Sequence, residues 1–325
     1  MAPTARSLPA EKAVAFLSPL ERCCIIVPTL NAVGVMDRLL PALRHQGVPG
    51  ARIYVIDSSS DDATVARAKE IGARVEVIRR SSFNHGGTRR YACARMPEAE
   101  FLVFLTQDAI PASTDAVARL LAAFADPGVG MVYGRQLPRP AAKGIERHAR
   151  LCNYPSASQV RSLADRGRYG VRTVFCSNSF AAYRRSALET VGGFPEDMFF
   201  GEDQVVAGKL LLGGWKLAYQ ADACVYHSHG YTVGEEFKRY FDIGVFHARS
   251  PWILETFGKV EGEGMRYLRS EIGYLARQEP LSIPSALLRT LVKYTAYHLG
   301  RREARLSAKW KSRLSMQPRY WLQGT

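Results

Sequence analysis

The sequence predicts an α/β fold in which a mostly parallel sheet is flanked by helices and followed by a helical C-terminal region. Two patterns predict this class, and the composition is that of a folded globular protein. Short β-branched or apolar runs alternate with helix-type patterns through the first third of the chain, as they do in βαβ units. Hydrophobic residues make up 47% of the 325 residues and charged residues 23%, which are ordinary values for a globular protein. Beyond Thr232 the hydrophobic spacing is mostly helical.

Strands and helices alternate through the region that precedes this helical part. The predicted strands are short apolar runs, and the run at 101–105 is apolar throughout, which is typical of a strand buried on both faces. The predicted helices carry apolar residues at spacings of three and four. The strands are 24–27, 53–56, 75–78, 101–105, 216–219 and 224–226, and the helices are 36–43, 62–70, 117–124, 186–191 and 202–212.

Two segments have a different character. The pattern loosens over residues 134–172, where proline and arginine are frequent, and we expect an irregular connector there. The segment 301–313 holds six basic residues and one Glu, with Leu306 and Trp310 four residues apart. This spacing predicts a basic amphipathic helix.

Composition limits the class of protein. The six cysteines include no C-x-x-C pair, which argues against a zinc ribbon or a disulfide scaffold and favours a reducing compartment. Residues 1–22 lack a continuous apolar core, so secretion is not indicated. No window reaches the roughly 18 uninterrupted apolar residues of a spanning helix, so we expect a soluble or peripheral protein. The formal net charge of +14 favours an anionic partner, for which nucleic acid, anionic lipid and phosphorylated substrates all qualify.

Polar residues follow four of the predicted strands at their carboxyl ends. In open α/β sheets ligands collect at this edge, so we expect these residues to face one cleft. They are Pro28, Thr29 and Asn31 after the first strand, Asp57 after the second, Arg79, Asn84, Gly87 and Arg89 after the third, and Gln107 and Asp108 after the fourth. The first turn lacks glycine, so it does not match the G-x-G-x-x-G turn of dinucleotide-binding proteins.

Two of these carboxylates have both a functional and a structural interpretation. Asp57 can accept hydrogen bonds from a nucleobase or ribose, with Thr29 and Asn31 as neutral contacts, or it can be a turn residue. Asp108 can hold Mg²⁺ or Mn²⁺ against a diphosphate, or it can be a loop or cap residue. The residues alone leave both alternatives open.

Two further groups can carry chemistry. Glu202 and Asp203 open a predicted helix, where one carboxylate can act as a base while the other binds or orients an acceptor. The alternative is favourable acidic charge at a helix N-terminus. His227 and His229 follow the last predicted strand and can offer an imidazole to a metal, or they can be surface polar residues.

Six segments, in this order along the chain, resemble family 2 glycosyltransferases of the GT-A fold. They are 27–31 (VPTLN), 55–64 (VIDSSSDDAT), 84–87 (NHGG), 104–108 (FLTQD), 191–194 (VGGF) and 200–203 (FGED). The resemblance implies a Rossmann-like domain over residues 22–232 that binds a nucleotide sugar and carries catalysis. It is followed by a helical, basic region over 233–325 that would associate with a membrane or an oligomer.

Within that family, residues 83–89 (FNHGGTR) and 106–109 (TQDA) look like the bacterial rhamnosyltransferases of surface-polysaccharide (O-antigen type) assembly. This resemblance implies dTDP-L-rhamnose as the donor and inversion at the anomeric carbon. The Asp-x-Asp metal motif of the family appears here as T-Q-D, without the first carboxylate. Similar rhamnosyltransferases share this substitution, so the resemblance still implies Mg²⁺ or Mn²⁺, held by Asp108, the donor diphosphate and His227 or His229.

The resemblance also implies roles for individual residues. Asp203 would take a proton from the acceptor hydroxyl, with Glu202 beside it, and Arg79 or Arg89 would stabilise the departing diphosphate. The implied donor contacts are Pro28, Thr29, Asn31, Asp57, Arg79, Asn84, Gly87, Arg89, Gln107 and Asp108. The implied acceptor contacts are Asn178, Gly193, Phe194 and Glu202.

The implied acceptor is a polyprenyl-diphosphate-linked glycan. Such an acceptor places the enzyme in the cytoplasm, peripheral at the inner face of the cytoplasmic membrane. The basic residues of 301–313 would then lie against anionic lipid. The aromatic residues of the C-terminal region could form an oligomer surface or could pack against the catalytic domain.

Rival interpretations remain open from the sequence. The donor could be a UDP- or GDP-sugar. A sugar nucleotidyltransferase would use similar nucleotide contacts but would make the activated sugar. A basic nucleic-acid-binding protein would use the positive charge, although no recognisable motif that reads RNA or DNA is present, and we expect no nucleic-acid partner. A non-catalytic scaffold would fit the missing carboxylate.

Overall fold

A computed structural model describes residues 17–258 and 262–322 of the chain. The prediction for the N-terminal segment concerns residues 1–22, of which 1–16 lie outside the described residues. Nine strands in the described part form one sheet flanked by helices, which confirms the predicted fold class. The strands are β1 (Cys23–Thr29), β2 (Ile53–Asp57), β3 (Arg74–Val77), β4 (Phe101–Leu105), β5 (Ile110–Pro111), β6 (Val129–Leu137), β7 (Gln159–Arg161), β8 (Phe180–Arg184) and β9 (Lys216–Tyr226).

The sheet has a parallel half and a mixed half. Its order is β3-β2-β1-β4-β8-β6-β9-β5, and β7 pairs with β9. The first four strands in this order are parallel, as predicted. β8 is antiparallel to both β4 and β6, whereas β6 and β9 are parallel. Alternate residues of β1 join two separate hydrophobic clusters, one on each face, which explains why the strand is apolar throughout.

Helices cover both faces of the sheet and form the C-terminal region. Those in the described part are α1 (Val33–Arg44), α2 (Thr64–Glu70), α3 (His85–Ala94), α4 (Ala116–Leu121), α5 (Gly144–Asn153), α6 (Arg166–Tyr169), α7 (Arg185–Thr190), α8 (Glu202–Leu212), α9 (Val233–Arg249), α10 (Pro251–Phe257), α11 (Glu263–Gln278), α12 (Ile283–Gly300) and α13 (Ala308–Leu314). Within residues 17–258 and 262–322, none of these helices combines the length and the apolarity that crossing a membrane requires.

The prediction of an irregular connector over residues 134–172 is wrong. The segment contains the end of β6, α5, β7 and α6, and its three prolines lie between these elements. Gly134 interrupts the strand pattern of β6, yet the fold needs glycine there. A Cβ at Gly134 would overlap the Phe180 ring and lie 2.5 Å from the Ala223 carbonyl oxygen. Close passage of neighbouring strands, which a single sequence does not show, therefore decides this part of the fold.

Two further differences concern β9 and α3. The predicted strands 216–219 and 224–226 are one strand, whose pairing with β6 shifts between Gly134 and Arg135. A bulge of this kind absorbs extra residues without ending the strand. The sequence analysis predicts no helix over residues 84–89, whereas in the structure Asn84 caps α3 by accepting a hydrogen bond from the Gly87 N–H at 2.6 Å.

The helical C-terminal region is confirmed over its described residues, and it packs directly on the sheet domain. Phe246, Ile253 and Phe257 belong to the same buried cluster as the apolar residues of α8. α9 and α12 approach so closely that a Cβ at Gly244 would collide with the Tyr297 carbonyl oxygen. The first C-terminal helices therefore complete the core of the sheet domain.

The prediction of one amphipathic helix over residues 301–313 is wrong. A 3-10 turn and the extended Leu306 precede α13 within this segment. Glu303 of that turn is buried and pairs with Arg249 of α9 at 2.9 Å, which draws the chain inward. Leu306 packs against a buried cluster while Trp310 is 54% exposed, so the two side chains do not share a face.

Candidate active site

A cleft of about 1880 Å³ opens between the carboxyl ends of the strands and the C-terminal helices. Its walls include Asp108 after β4, His227 and His229 after β9, and Glu202 and Asp203 at the start of α8. The structure therefore brings the predicted metal ligands and the predicted catalytic pair into one cavity.

Asp108, His227 and His229 offer three ligand atoms that all lie within 4.8 Å of one another. His227 Nε2 lies 3.4 Å from one Asp108 carboxylate oxygen, and His229 Nε2 lies 3.6 Å from the other. The two Nε2 atoms are 3.1 Å apart. Imidazole nitrogen and carboxylate oxygen together suit divalent transition-metal ions such as Mn²⁺. The three residues therefore fit a divalent cation.

Gln136, at the end of β6, sets the tautomer of His227. The Gln136 side-chain oxygen lies 2.9 Å from His227 Nδ1. The amide is oriented because its nitrogen donates to Ser177 Oγ at 3.0 Å and Arg150 donates to its oxygen. Nδ1 must therefore carry a proton, so in the neutral form of the ring the lone pair is on Nε2, which faces the other two ligands. A metal-binding histidine requires this arrangement.

The protonation states of this group also suit a cation. Burial opposes ionisation of Asp108, but His227 and His229 together hold the pKa of its carboxyl well below the usual range. Arg139 reaches the same carboxylate at 3.4 Å. Burial first, and His227 second, lower the pKa of His229 to about 4. At neutral pH, Asp108 is ionised and His229 is neutral, which are the states that bind a metal ion.

Glu202 is a buried carboxylate held by fixed partners. Arg89 Nη1 lies 3.2 Å from its Oε1, and Asn178 donates to the same atom at 3.0 Å. Asn178 in turn accepts a hydrogen bond from the Tyr183 hydroxyl at 2.7 Å. Burial opposes ionisation, yet Arg89 and then His85 hold the pKa of Glu202 below its ordinary value. Glu202 is thus an ionised side chain in the wall of the cleft whose Oε1 is held by Arg89 and Asn178.

Asp203 differs from its neighbour in both exposure and protonation. It is half-buried and lines the cleft. Its carboxylate accepts backbone hydrogen bonds from Asn178 at 3.3 Å and Gln204 at 2.8 Å. Burial, followed by the charge of Glu202, raises the pKa of Asp203 to about 7. A carboxyl that titrates near neutrality is suited to accept a proton at neutral pH.

Thr29, Asn31 and Asp57 build the turns at the ends of β1 and β2. Asp57 is fully buried and accepts hydrogen bonds from the Thr29 hydroxyl at 2.8 Å, the Ser60 hydroxyl at 2.6 Å and the Ser60 N–H at 2.8 Å. Asn31 has a φ of 47° and accepts from the Asp61 N–H at 2.9 Å. These contacts favour the interpretation of Asp57 as a turn residue, and its contact with a nucleobase or ribose stays a prediction.

Gln107, the middle residue of the T-Q-D segment, joins two loops. Leu30 N–H donates to its side-chain oxygen at 2.8 Å, and its side-chain nitrogen donates to the Leu30 carbonyl oxygen at 3.2 Å. A carboxylate has no N–H for the second of these bonds. The Gln107 amide therefore ties the turn after β1 to the loop of Asp108, and Thr106 stands where the family motif has its first carboxylate.

The residues predicted after β3 make mainly structural contacts. Arg79 is exposed, whereas Arg80 donates to the Ser59 carbonyl oxygen at 2.8 Å. A Cβ at Gly87 would lie 2.8 Å from the Glu196 carbonyl oxygen, so glycine allows the close approach of two backbones. The described residues that were predicted to bind the donor and lie outside the cleft lining are Pro28, Thr29, Asn31, Asp57, Arg79, Asn84, Gly87 and Gln107.

The prediction that Phe194 contacts an acceptor is wrong. Its side chain is fully buried and packs edge-on against Phe104 at 5.2 Å and Tyr183 at 5.1 Å, so the core requires it. Gly193 has a φ of 74° in the turn after α7 and lies outside the cleft lining of the described residues. Asn178 does line the cleft, and its contact with an acceptor stays a prediction.

Sequence reasoning missed Gln136, Arg139 and Arg150, which all lie in the segment interpreted as a connector. The available signal was the apolar run 131–133 followed by polar residues, which is the pattern of a strand that ends at a ligand-binding edge. The glycines on either side of that run, Gly130 and Gly134, obscured it.

The chain matches the family model described as Glycosyl transferase family 2 over residues 24–192. It is 46% identical over 298 residues to the O-antigen chain rhamnosyltransferase RfbN of Salmonella typhimurium, covering 91% of this chain and 95% of the relative. Identity to the O-antigen chain rhamnosyltransferase WbaN of Salmonella anatum is 44% over the same share of both chains.

Similar folds occur among solved structures. The mannosyltransferase PcManGT from Pyrobaculum calidifontis, in complex with GDP-Man and Mn²⁺, superposes with a TM-score of 0.52 at 20% identity, covering 93% of this chain and 85% of that one. S. aureus TarS 1-349 in complex with UDP-GlcNAc gives a TM-score of 0.50 at 16% identity, covering 87% and 91%. At this level of identity the likeness shows the fold.

Proposed function

Because the chain belongs to glycosyl transferase family 2 and is a glycosyltransferase, we propose that it transfers L-rhamnose from dTDP-L-rhamnose. The proposed acceptor is a lipid-linked precursor of a bacterial O-antigen-type polysaccharide, and the anomeric centre is inverted. The names of the two Salmonella relatives support the sugar and the polysaccharide. The observation that carries the proposal is the single cleft that holds Asp108, His227 and His229 together with Asp203.

Asp203 is the proposed base. Its carboxylate takes the proton of an acceptor hydroxyl while the hydroxyl oxygen attacks the anomeric carbon. The bond between that carbon and the diphosphate oxygen breaks, and dTDP leaves with the electron pair. Asp203 supports this role because it is the cleft carboxyl whose pKa is raised to about 7, whereas Glu202 stays ionised beside it through Arg89.

We further propose that Asp108, His227 and His229 hold Mg²⁺ or Mn²⁺. A bound divalent cation would stabilise the negative charge that develops on the diphosphate. The chain contributes the ionised Asp108 carboxylate and the fixed Nε2 lone pair of His227, and Arg139 adds a positive charge 3.4 Å from that carboxylate.

The donor nucleoside would lie along the ends of β1 and β2, near Thr29, Asn31 and Asp57. This placement is supported by Gln107, which ties the turn after β1 to the loop that carries Asp108. A diphosphate held at Asp108 would then extend toward those turns. Contacts of the donor with Pro28, Arg79, Asn84, Gly87 and Arg89 belong to the same proposal.

The acceptor side of the cleft is formed by the C-terminal helices. Arg239, Arg301 and Arg302 are exposed basic residues of the cleft lining and suit an acceptor diphosphate. A lipid-linked acceptor requires work at a membrane, and the net charge of +14 suits the anionic inner face of the cytoplasmic membrane. We therefore propose a cytoplasmic, peripheral location. A homo-oligomer belongs to the same proposal.

The donor is tested by measuring nucleoside diphosphate release from dTDP-L-rhamnose, UDP-sugars and GDP-sugars with Mg²⁺ or Mn²⁺ present. We expect dTDP release that depends on the acceptor. Preference for a UDP- or GDP-sugar would overturn the donor and leave the family assignment intact. Formation of a nucleotide sugar from a sugar phosphate would instead favour the nucleotidyltransferase. Salt-sensitive DNA binding without sugar transfer would favour the nucleic-acid interpretation.

A further inference from the structure

The outward side of α12 is apolar. Leu287, Leu288, Leu291 and Tyr294 are 47%, 53%, 62% and 64% exposed, and Leu281, just before the helix, is 94% exposed. The four helical positions share a side of α12, since residues three and four apart lie on the same face. A surface helix ordinarily turns its charged side chains outward and its apolar side chains inward. α12 has the reverse arrangement, and we call these five side chains the apolar face of α12.

The inward side of α12 is fixed by packing and by charge. Gly300 lies so close to α9 that a Cβ would collide with the Phe241 carbonyl oxygen. Arg289 and Lys293 pair with the buried Glu236 at 3.0 and 3.3 Å. Rotating the helix to hide its leucines would break these contacts and expose paired charges. The apolar face of α12 is therefore a stable feature of the fold.

Exposed basic residues precede and follow the apolar face of α12 along the chain. Exposed arginine and lysine follow the helix at Arg302, Arg305, Lys309 and Arg313, and Arg277 precedes it. A second copy of the chain would bring the same positive charges against them and be repelled. An anionic lipid surface attracts such residues and also accepts the leucines and the tyrosine between them. Charge complementarity thus selects a bilayer as the occupant of this surface.

We propose that the apolar face of α12 is the part of this protein that enters the interfacial region of an anionic bilayer. The flanking basic residues lie against the headgroups. This assignment replaces the predicted helix over 301–313 as the main membrane contact, because that segment is folded inward at Glu303 and Trp310 is its one large apolar side chain that is exposed.

The orientation explains how a lipid-linked acceptor reaches the site. Tyr294 belongs to the apolar face of α12 and also lines the cleft, as do His298, Arg301 and Arg302 farther along. With α12 in the interface, this wall of the cleft stands at the headgroup level. This explanation of how the acceptor reaches the cleft rests on the proposed lipid-linked acceptor. The proposal that α12 binds a bilayer does not depend on it.

The test is co-sedimentation of the full chain with vesicles of phosphatidylglycerol and phosphatidylcholine in equal parts. We expect the double variant Leu288→Gln, Leu291→Gln to bind at least about tenfold more weakly than the wild type, because two leucines lose their apolar burial. Leu212→Gln, a matched change at a leucine 50% exposed on α8, should bind as the wild type does. Leu288 and Leu291 lie outside the cleft lining, so dTDP release with a soluble acceptor should be unchanged.

A second variant separates the contribution of charge. Arg305→Gln with Lys309→Gln should weaken binding to the anionic vesicles and leave the weaker binding to pure phosphatidylcholine unchanged. Equal binding by wild type and the leucine variant would overturn the proposal. So would a change of mass by sedimentation equilibrium in the leucine variant without loss of vesicle binding, which would show that the face joins two copies. If the wild type binds vesicles but transfers no sugar, the proposed function is overturned and the bilayer proposal stands.

Discussion

The difference in pKa between Glu202 and Asp203 depends on a single ion pair. Both are carboxylates at the start of α8, but Arg89 lies against Glu202 at 3.2 Å. The ionised Glu202 then disfavours ionisation of Asp203, which adds to the effect of burial. One buried arginine therefore produces a permanent anion and a titratable base from adjacent residues of the same type.

Asp203→Asn tests the base directly. The amide keeps the size of the side chain but cannot accept the acceptor proton, so we expect kcat to fall by about 10²- to 10⁴-fold with little change in the KM for the donor. Turnover of dTDP-L-rhamnose measures this. Asp222→Asn, at an exposed aspartate of β9, is the matched control and should behave as the wild type does. Undiminished turnover by Asp203→Asn would remove Asp203 from the mechanism.

The raised pKa of Asp203 predicts opposite effects of pH on activity and on stability. The rate should rise with pH through about 7 as the base ionises. The folded pKa lies above the unfolded value of about 4, so this carboxyl contributes stability below pH 4 that is lost as pH rises through about 7. Asp203→Asn should therefore melt at a higher temperature than the wild type at pH 8. In thermal melts this advantage should shrink toward pH 4, and an advantage independent of pH would contradict the assignment.

Gln136 is expected to act on the metal site through His227. Gln136→Leu removes the acceptor for Nδ1 and frees the ring to adopt the other tautomer, so Mn²⁺ affinity should fall by about 10- to 100-fold. Gln136→Glu keeps an acceptor and should retain most of the affinity. Titration followed by electron paramagnetic resonance of free Mn²⁺ gives both values. Equal affinities for the Leu variant and the wild type would show that the tautomer is set elsewhere.

Among the elements, those that carry their own hydrophobic pattern could be predicted. β1, β2 and β4 are buried apolar runs, and α8 begins and ends where its pattern does. β6 and β8 could not be recognised because each depends on its neighbours. Glycine is required at position 134 of β6 because the Phe180 ring of β8 lies against its backbone. The five residues of β8 show no alternation of apolar and polar side chains that would mark a strand.

The same distinction holds in the cleft. Asp108, His227 and His229 follow strands that could be predicted, so their convergence could be anticipated from strand ends alone. Gln136 lies within β6, which could not be predicted, and it is 91 residues from His227 in the chain. Phe194 shows a second limit of prediction from sequence. Its position in a family motif does not reveal whether its side chain faces the cleft or the core, and in the structure it is buried in the core.

The last described segment of the chain, 315–322, is built into the catalytic region. Phe199 stacks on Tyr320 at 4.5 Å and meets Trp321 at 5.5 Å. Met316 N–H donates to the buried Asp242 of α9 at 2.9 Å. Phe199 lies four residues before the proposed base, so this segment supports the turn from which α8 starts. Deleting the C-terminal segment would therefore disturb the site as well as remove basic charge.

Trp321→Ala should lower both stability and turnover. Trp321 is buried, and loss of a buried aromatic side chain costs about 3–5 kcal/mol at a well-packed site. Trp310→Ala, at a tryptophan 54% exposed on α13, is the matched control and should change neither property. Melting temperature and kcat are measured together. A normal kcat in a destabilised Trp321→Ala protein would show that segment 315–322 stabilises the fold but does not support catalysis.

At the scale of the whole molecule, the predicted boundary between residues 22–232 and 233–325 does not separate two cores, because the described residues on its two sides pack into one buried cluster. The largest buried cluster runs from β1 and β4 through α8 to Phe246, Ile253 and Phe257 of α9 and α10. The cleft likewise takes one wall from the strand ends and another from α9, α11 and α12. A protein that shares its core and its site in this way is expected to unfold as one unit.

The tryptophans allow this expectation to be checked with two probes. Trp252, Trp310 and Trp321 lie in the C-terminal region, whereas Trp215 alone lies in the sheet domain, so fluorescence follows mainly the helices while far-ultraviolet circular dichroism follows the whole chain. If removal of the helices exposes the shared cluster, neither part is stable without the other, and the two thermal transitions should coincide. Fluorescence that changes at a temperature well below the loss of circular dichroism would instead show that residues 233–325 unfold independently. In that case the cleft would open before the sheet domain melts, and activity should disappear with the fluorescence change.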